Sequence, residues 1–471
     1  MERQVDVAVI GAGTAGLAAV AQVRRAGRSF VLVNVGELGT TCARVGCMPS
    51  KAIIQIADDF HRRRYLARIG IENANGSNAN VPAALERVRE LRDIFVDRVL
   101  AGTTDEMGDE FIEGPAEFVD PGVLRVDDQT IRARRVVIAT GSQPVVPAAW
   151  QSFRDRIITT DEFFELETLP ASIAVVGLGA IGLELGQALH RMGVSTTGVD
   201  QLTTIAGLQD PVVNESACDI FSQEFPLWLG QVAEVQEHQG QLRVSSGERN
   251  VIVDQILASM GRRPNLETLR LDRLGVKLDD KGIPPFNPNT MQVGDLPVFI
   301  AGDATGGKAI LHEVADEGRI AGYNAARDSI TAFRRKAPLA ITFCDPNIAT
   351  VGRAWSELEH DRIVVGETRL GSVGRALIMG RNRGVLRVYA DNAQGRIVGA
   401  AMVAPAGEHL AHLIAWSIQQ RLTVFDMLRL PYYHPTIEEA LQSALQNLLD
   451  KIARRPPGLP SLQPLDANET A

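Results

Sequence analysis

The chain has 471 residues, of which 45% are hydrophobic and 22% charged, with 43 glycines and a net charge of −9. A single hydrophobic core rarely extends over this length, so we expect two to four domains. The acidic balance argues against nucleic acid or an anionic membrane as the main partner. No apolar run reaches the roughly 18 residues that a membrane-spanning helix needs. The basic runs at residues 61–64 and 132–135 are interpreted as solvated faces.

The first element is a buried-strand pattern at residues 5–10, and the residues before it lack the features of a signal peptide. We therefore expect a protein of the reducing cytoplasm, where its four cysteines do not form a structural disulfide framework. A close pair of cysteines in that compartment is catalytic, metal-binding or incidental.

An internal repeat organises the first half of the chain. Residues 5–34 and residues 172–200 each have the pattern of a strand, a glycine-rich turn, an apolar helix and a second strand. The turn glycines are Gly11, Gly13 and Gly16 in the first copy and Gly177, Gly179 and Gly182 in the second. In this motif the first glycine makes a tight turn, the second lets the backbone approach a pyrophosphate, and the third packs the helix onto the strand. Two copies in the correct context predict two bound dinucleotides.

The most informative segment is residues 39–51, which contains Cys42 and Cys47 and ends in Pro-Ser-Lys. On an ideal helix, residues five apart are separated by a rise of about 7.5 Å and point in different directions. A disulfide needs Cα atoms within about 7 Å, so a bridge requires a distorted turn, which Gly46 permits. A disulfide in an irregular turn is easily reduced, and a helix N-terminus with a nearby cation lowers the pKa of the released thiols.

Metal ligation by this pair is disfavoured, because no second Cys or His pair has suitable spacing. Cys218 and Cys344 stand alone in the sequence and are expected to be buried packing residues.

The later elements suggest a chain that leaves the first domain and returns to it. Residues 136–142 predict a strand and a glycine turn leading out, and residues 254–265 predict the return. Residues 298–303 predict a buried strand ending at Asp303, at the edge of a parallel sheet where ligands bind. From about residue 337, short alternating strands followed by helices indicate a separate α+β domain.

Taken together, these motifs resemble the class I pyridine nucleotide–disulfide oxidoreductases, and among them most of all the dihydrolipoamide dehydrogenases. The resemblance covers about residues 4–450. It is carried by the two glycine turns, the Cys-x4-Cys segment, the Ala-Thr-Gly turn at 139–141 and the Gly-Asp at 302–303. Residues 343–352 resemble the entry to the family's dimerisation domain, and residues 434–439 resemble its terminal catalytic motif.

The resemblance implies an α/β fold with two Rossmann-like dinucleotide-binding domains, the FAD domain interrupted by the NAD domain, and a C-terminal α+β dimerisation domain. The expected boundaries are 1–145 for the first part of the FAD domain, 146–263 for the NAD domain, 264–336 for the second part of the FAD domain, 337–453 for the dimerisation domain and 454–471 for a disordered tail.

By the same resemblance, the first glycine turn binds FAD and the second binds the nicotinamide nucleotide. Cys42 is the thiol that exchanges with substrate, and Cys47 lies against the flavin. Lys51 is expected near the flavin and paired with Glu184, and Asp303 is expected to hold the ribityl chain. The further implied cofactor contacts are Asn34, Thr41, Ala116, Thr140, Gly141, Gly261 and Leu311.

His434 is implied as the acid/base that reaches Cys42 of the other subunit, with Glu439 orienting it, which requires a homodimer. Histidine suits this role because it titrates near neutrality. Pro435 is favoured at the first helical position, so a helix is predicted to begin there.

Asp200 ends the second strand of the second repeat, and a carboxylate there binds a ribose 2'-hydroxyl and repels a 2'-phosphate. NAD is therefore favoured over NADP. The matching position in the first repeat is Asn34 in place of the family's acidic residue, so weaker or less specific FAD binding is expected. Two further departures are Thr40, in place of a glycine, and Tyr432, in place of the first histidine before His434.

The leading interpretation is oxidation of a protein-bound or free dihydrolipoyl dithiol through Cys42/Cys47 and FAD, with NAD as acceptor. Tyr432 leaves room for a specialised lipoyl protein as the partner. The alternatives are an NADH-dependent reductase of another small disulfide, and a flavoprotein redox sensor or assembly subunit. Pro-Ser-Lys after the cysteines disfavours glutathione and thioredoxin reductases, and the lack of a C-terminal cysteine and of an N-terminal metal-binding domain disfavours a mercuric reductase. Soluble transhydrogenases resemble the chain but lack the intact cysteine pair.

Overall fold

A computed structural model of the protein describes residues 2–453 and 458–465, apart from the side chain of Asn75. The α-helices of these residues are α1 (Thr14–Arg25), α2 (Thr41–Val45), α3 (Cys47–Leu66), α4 (Val81–Ala101), α5 (Thr160–Phe163), α6 (Ala180–Arg191), α7 (Pro211–Phe221), α8 (Leu311–Ala325), α9 (Gly374–Ile378), α10 (Gly407–Gln419), α11 (Val424–Leu428) and α12 (Glu439–Leu449). Among the described helices, none combines the length and the apolar character needed to cross a bilayer.

The β-strands are β1 (Glu2–Ile10), β2 (Phe30–Asn34), β3 (Phe111–Glu113), β4 (Ala116–Asp120), β5 (Val123–Val126), β6 (Gln129–Ile138), β7 (Ser142–Pro144), β8 (Ile157–Ile158), β9 (Ser172–Val176), β10 (Ser195–Asp200), β11 (Leu227–Leu229), β12 (Glu234–His238), β13 (Gln241–Ser246), β14 (Arg249–Val253), β15 (Gln255–Ala258), β16 (Arg262–Pro264), β17 (Val298–Ile300), β18 (Leu339–Thr342), β19 (Asn347–Gly352), β20 (Ile363–Arg369), β21 (Val385–Asp391) and β22 (Ile397–Ala404).

The first sheet has seven strands in the order β3-β2-β1-β6-β5-β4, with β17 paired to the other end of β6. Strands β3, β2, β1, β6 and β17 run parallel, while β4 and β5 form an antiparallel meander with the start of β6. The parallel strands are apolar on both faces, as strands covered on both sides must be. Strand β17 comes from a segment more than 150 residues beyond β6, so the chain does return to its first domain.

The second sheet is parallel, in the order β11-β10-β9-β15-β8, and a three-stranded antiparallel sheet β12-β13-β14 lies between its strands in the chain. A two-stranded antiparallel ribbon of β7 and β16 marks the outgoing and returning chain, since β7 follows β6 and β16 follows β15. The third sheet is wholly antiparallel, in the order β18-β19-β22-β21-β20, with α12 packed beside β20 and β21.

The fold class expected from the sequence is confirmed: two parallel α/β units, one inserted in the other, precede an antiparallel α+β unit. One hydrophobic cluster runs through all three units. It includes Ile53 from α3, Leu183 and Leu185 from α6, and Val385 and Tyr389 from β21. The predicted disordered tail falls largely on residues 454–457 and 466–471, which lie outside the described residues.

Candidate active site

The two glycine turns have the geometry that the motif requires. Gly11 and Gly177 have φ of +106° and +95°, and a Cβ at either would lie 2.3–2.4 Å from a carbonyl oxygen of the neighbouring strand end. A Cβ at Gly16 or Gly182 would lie 1.8 Å from the carbonyl oxygen of Gly11 or Gly177, respectively. These four positions therefore accept no side chain.

The middle glycine of each turn is different, because a Cβ at Gly13 or Gly179 would meet no atom within 4 Å. Each is the N-cap of its helix, and no side chain caps either helix. The first backbone N–H groups of α1 and α6 thus face open space, which is the arrangement that accepts a pyrophosphate. The chain therefore fits two dinucleotides, one at each turn.

The polar residues that end β2 and β10 both bind their own glycine turn. Asn34 Oδ1 accepts a hydrogen bond from the N–H of Ala12 at 2.9 Å. Asp200 Oδ2 accepts one from Leu178 N–H at 2.6 Å, and its Oδ1 accepts another from Leu202 N–H. The two repeats are thus equivalent in detail, with an amide in one and a carboxylate in the other.

Beside Asn34 lies a cleft of about 270 Å³. Four of the predicted cofactor contacts line this cleft: Gly11, Asn34, Ala116 and Thr140. Sequence reasoning missed the opposite wall, which residues 264–269 supply after the return crossover. Asn265 fixes this wall, because its Nδ2 donates to Thr140 O and its N–H donates to Gly141 O.

Asp303 lies three residues beyond the end of β17, in a short 3-10 turn, rather than at the strand end itself. Its Oδ2 accepts a hydrogen bond from the hydroxyl of Ser142 at 2.6 Å, and Arg262 Nε lies 4.0 Å away. Gly261, with φ of +101°, precedes that arginine, and the exposed Leu311 is the first residue of α8. The ribbon of β7 and β16 and the turn that follows β17 therefore meet at one place.

The cysteine pair spans a break between two helices. Cys42 lies in α2, Cys47 is the first residue of α3, and Gly46 separates them. A Cβ at Gly46 would lie 2.9 Å from Thr41 O and 3.1 Å from Cys42 Cα, so only glycine lets the two helices approach this closely. The expected distorted turn is present, and both cysteines are half-buried free thiols.

The two thiols differ in acidity. The pKa of Cys47 is lowered to about 7, mainly because the Cys42 thiol donates a hydrogen bond to it, with Lys51 adding a favourable charge against the opposing effect of burial. The pKa of Cys42 is raised, because that hydrogen bond holds its proton and because the group is buried. The dithiol therefore loses its first proton from the Cys47 side and keeps the second on Cys42.

Lys51 lies one helical turn beyond Cys47 on α3, and its Nζ is 2.9 Å from Glu184 Oε2 on α6. Glu184 is buried, with 6% of its side chain exposed, and its other oxygen accepts the N–H of Phe343 at 2.7 Å. Lys51 also lies over the Phe343 ring, 4.8 Å from its centre. The expected Lys51–Glu184 pair thus joins all three units of the fold, and Phe343 is a member that the sequence did not indicate.

A second ion-pair cluster lies seven residues further along both helices. Arg191 on α6, with 3% of its side chain exposed, contacts Asp58 of α3, Glu224 and Asp345. Helices α3 and α6 therefore run alongside each other and are joined by two ion pairs, Lys51–Glu184 and Asp58–Arg191, which lie two helical turns apart. No motif marks this cluster, because its members come from three units and follow no local spacing.

His434 and Glu439 form a hydrogen-bonded dyad, with His434 Nδ1 2.8 Å from Glu439 Oε1. The pKa of Glu439 is lowered by the hydrogen bond from His434 and by a second from Thr436 N–H. The side chain of His434 is 79% exposed, and within the described residues no hydrogen bond joins it to Cys42 or Cys47.

The prediction that a helix begins at Pro435 is wrong, since α12 begins at Glu439. The reason is local. The Thr436 N–H is held by the Glu439 carboxylate, and the Thr436 hydroxyl donates to Tyr433 O, so the chain between them forms a turn. Glu439 therefore stands at the start of the helix, where it reaches back to His434.

The departures from the family pattern have visible consequences. Thr40 adopts φ of +65°, a conformation that favours glycine, and its hydroxyl accepts the N–H of Ala43 as a cap of α2. Tyr432 is half-buried, with its hydroxyl 3.4 Å from Met427 O, while Tyr433 is 81% exposed beside His434.

Of the lone cysteines, Cys344 is buried as expected, but Cys218 is only half-buried.

Two dinucleotide-binding turns, a dithiol of unequal acidity and an exposed His–Glu dyad define a two-dinucleotide oxidoreductase that acts through a cysteine pair. The chain matches the pyridine nucleotide–disulphide oxidoreductase family over residues 5–329 and the dimerisation domain of that family over residues 339–445. The protein therefore belongs to the pyridine nucleotide–disulfide oxidoreductase family and is a flavoprotein disulfide oxidoreductase that uses FAD and a nicotinamide nucleotide. The dimerisation domain supports a homodimer.

The relatives carry several activities. The chain is 28% identical to dihydrolipoyl dehydrogenase 2 of Haloarcula marismortui over 458 residues, which cover 93% of this chain and 95% of the relative. It is 30% identical to mercuric reductase of Shigella flexneri over 464 residues, covering 93% of this chain and 80% of the relative. Both relatives therefore match nearly the whole of this chain.

Among solved structures, the HOCl-induced flavoprotein disulfide reductase RclA of Escherichia coli, as its Cu(II) complex, has a TM-score of 0.81 at 22% identity, over 94% of this chain and 99% of that one. LpdA of Mycobacterium tuberculosis has a TM-score of 0.81 at 24% identity, over 94% of this chain and 100% of that one. At these identities the structural matches establish the shared fold.

Proposed function

We propose that the enzyme oxidises a dihydrolipoyl dithiol with NAD⁺, giving the cyclic disulfide, NADH and a proton. The observation that carries this proposal is the His434–Glu439 dyad at 2.8 Å, since oxidation of a dithiol requires a base to remove the thiol proton. The 28% identity to dihydrolipoyl dehydrogenase 2 of Haloarcula marismortui over nearly the whole chain supports the choice of substrate.

In the proposed reaction, His434 of the partner subunit removes a proton from one substrate thiol. The substrate thiolate attacks Cys42 Sγ, the Cys42–Cys47 bond breaks, and Cys47 leaves as the thiolate. Its pKa of about 7 makes it the better leaving group of the pair. The histidine releases this first proton to solvent and then removes the proton of the second substrate thiol. The second substrate sulfur closes the substrate disulfide and releases Cys42, which takes up the second proton from the histidine because its own pKa is raised. The substrate loses two electrons and two protons, and the protein pair gains the two electrons.

FAD would be held by the first glycine turn together with Asn34, Thr41, Ala116, Thr140, Gly141, Asp303 and Leu311. When bound, it would accept the electrons of the dithiol and pass them to NAD⁺. Lys51 contributes a positive charge next to Cys47, which stabilises the thiolate. Glu184 keeps that lysine in place, because its buried carboxylate has both oxygens occupied.

NAD is the proposed acceptor, held at the second turn with Gly261 nearby. Asp200 supports this choice because its carboxylate lies at the strand end, where a 2'-phosphate would meet a negative charge. Asp200→Asn removes the charge and keeps one acceptor oxygen, which can receive the Leu178 N–H, while the Leu202 N–H loses its acceptor. We expect the kcat/KM ratio of NAD to NADP to fall by at least about tenfold in this variant. An unchanged ratio would contradict the assignment.

The first experiment is anaerobic mixing of the FAD-loaded enzyme with dihydrolipoamide and NAD⁺, with NADH followed by absorbance. Rapid NADH formation that is abolished in Cys42→Ser supports the proposal. If NADH reduces the dithiol of the wild-type enzyme while dihydrolipoamide does not, the disulfide centre works and the substrate assignment is wrong.

The in-trans role of His434 is tested with mixed dimers. Cys42→Ser and His434→Gln homodimers should each be inactive or nearly so. A heterodimer of the two carries both defects in one site and neither in the other, so each heterodimer should have about half of the wild-type activity. An equal mixture should therefore recover about a quarter after random subunit exchange, since about half of its dimers are then heterodimers. If no activity returns although heterodimers form, the histidine acts within its own chain.

A second candidate is an NADH-dependent reductase of another small disulfide. The observation that favours it is Tyr432, which stands half-buried where the family has a histidine, beside the exposed Tyr433. The mercuric reductase of Shigella flexneri, at 30% identity, shows that relatives with other substrates exist. A redox sensor or assembly subunit would not need the dyad, so in that case His434→Gln would leave oxidation of the pair intact.

We also propose the domain boundaries 1–145, 146–263, 264–336 and 337–453. The ribbon of β7 and β16 supports the two boundaries where the chain crosses between sheets. A cytoplasmic location remains a prediction that rests on the use of cysteine.

A further inference from the structure

A cleft of about 410 Å³ lies where α3, the nucleotide-binding unit around α6 and α7, and the C-terminal unit meet. It is distinct from the cysteine pair, which none of its walls contains. Its charged and histidine lining residues are Asp58, His61, Arg62, Arg64, Arg68, His190, Arg191, Glu224, Asp345, Arg381 and Arg383. The volume is in the range of small-molecule sites.

The charges of this cleft are unbalanced. All three carboxylates, Asp58, Glu224 and Asp345, are bound to the single buried Arg191. That leaves five arginines around the opening. Among the described residues, Arg64 and Arg68 have no ion-pair partner, and both are exposed. A concentration of positive charge in a chain of net charge −9 favours an anionic ligand.

The other three arginines of the opening are held only weakly. Arg62 lies over the ring of Tyr65, and Arg383 donates to the neutral Gln223. Arg381 Nε is 3.8 Å from Asp345, a carboxylate already shared with Arg191. Each of these guanidinium groups therefore has donors to spare for a ligand.

The two histidines of the cleft, His61 and His190, are both half-buried. His61 Nδ1 is buried and has no hydrogen-bond partner. The pKa of His61 is lowered to about 4, first by burial and then by the charge of Arg191, and burial lowers the pKa of His190 as well. Burial therefore disfavours the charged form of both rings, and the buried Nδ1 of His61, in the lining of the cleft, is free to bind a ligand.

We propose that this cleft binds a small molecule carrying two or more adjacent phosphoryl groups. Several guanidinium groups around one opening suit phosphate oxygens, because each presents donors in a planar fork. A single carboxylate would engage only one or two of them. Duplex nucleic acid is disfavoured, since a cleft of about 410 Å³ is small for a duplex and the whole chain is acidic.

The test uses the FAD-loaded enzyme with saturating NAD⁺, so that both dinucleotide sites are filled, and inorganic tripolyphosphate as the probe. Calorimetry should show one saturable site per chain. Arg64→Gln/Arg68→Gln should weaken binding by at least about tenfold, because charge-assisted hydrogen bonds are lost. Asp58→Asn should strengthen it, because a negative charge leaves the wall.

The matched control is Arg87→Gln/Arg132→Gln, which removes the same charge from exposed arginines on α4 and β6. It should bind as the wild type does. NMR of the His61 ring adds a local readout, since a bound anion favours the imidazolium and should raise its pKa.

Three results of the binding and NMR measurements would overturn the proposal, and a fourth concerns the dimer. These are the absence of saturable binding, an equal loss in the control variant, and an unchanged pKa of His61 when the probe is bound. Size-exclusion chromatography with light scattering checks each variant. If Arg64→Gln/Arg68→Gln dissociates the dimer, the arginines serve subunit contact and the ligand assignment is wrong. None of these outcomes depends on the dithiol substrate, so they test the cleft separately from the proposed function.

Discussion

The Lys51–Glu184 pair should modify the acidity of Cys47, which the hydrogen bond from Cys42 mainly determines, and the effect of each member can be worked out separately. Cys47 and Lys51 are four residues apart on α3, which puts their side chains about 5.5 Å apart. With an effective dielectric of about 20, the lysine charge stabilises the thiolate by about 3 kcal/mol, or about 2 pKa units. Glu184 lies 2.9 Å beyond the lysine, so at about 8.4 Å it opposes this by about 2 kcal/mol.

Three variants then have distinct expected values. Glu184→Gln leaves the lysine unopposed and should lower the pKa of Cys47 by about 1.5 units. Lys51→Met removes the attraction and should raise it by about 1 to 2 units, the smaller value applying if the stranded carboxylate takes up a proton. The double variant should raise it by less than about 1 unit.

The pKa of Cys47 can be measured from the pH dependence of alkylation of the reduced holoenzyme by iodoacetamide, with peptide mass spectrometry to assign the modified cysteine. Thermal melting at each pH checks that the fold is retained, since a buried carboxylate without its partner is costly. If Lys51→Met leaves the pKa of Cys47 at about 7, or if Glu184→Gln raises it, the electrostatic account of this site is wrong.

Three further predictions concern other parts of the chain. Gly16→Ala should prevent stable folding of the FAD unit, because its Cβ would lie 1.8 Å from Gly11 O, whereas Gly13→Ala should fold but lose flavin. Circular dichroism and the amount of flavin bound per chain distinguish the two variants. Thr40→Gly should be at least as stable as the wild type, because it relieves the backbone strain at φ of +65°. Thr40→Ala keeps the strain and loses the helix cap, so it should lower the stability by about 1 kcal/mol. A higher melting temperature for the alanine variant than for the glycine variant would contradict this. Burial raises the pKa of Asp58 to about 6 from 3.8, so its ionisation destabilises the fold as the pH rises from about 4 to about 6. Over that range Asp58→Asn should become more stable than the wild type, by up to about 3 kcal/mol. A difference in melting temperature between variant and wild type that does not change with pH would refute this.

The local geometry of the glycine turns could be predicted because it is dictated by sterics within a short stretch of chain. The positions that need Gly11 and Gly16 follow from close approach of backbone to backbone, and the strand ends at Asn34 and Asp200 follow at fixed spacing. The distorted turn at Gly46 follows from the limited reach of a disulfide across a helix.

Other features could not be read from the sequence because their causes lie in distant segments. The run at residues 61–64 was interpreted as a solvated face, but His61, Arg62 and Arg63 are half-buried, and His61 and Arg62 line the cleft together with His190 and Arg383. The helix predicted at Pro435 fails because Glu439 reaches back to the backbone of Thr436, a competition that propensity does not register.

The exposure of His434 has a consequence for how the enzyme must be handled. If the dyad serves a neighbouring chain, an isolated subunit has no base at its dithiol even when it keeps its fold and its flavin. Specific activity would then depend on protein concentration. The dimer concentration is proportional to the square of the free-subunit concentration, so the active fraction falls on dilution. Assays at enzyme concentrations below the dimer dissociation constant would underestimate turnover, and a lag on mixing would report the rate at which subunits associate.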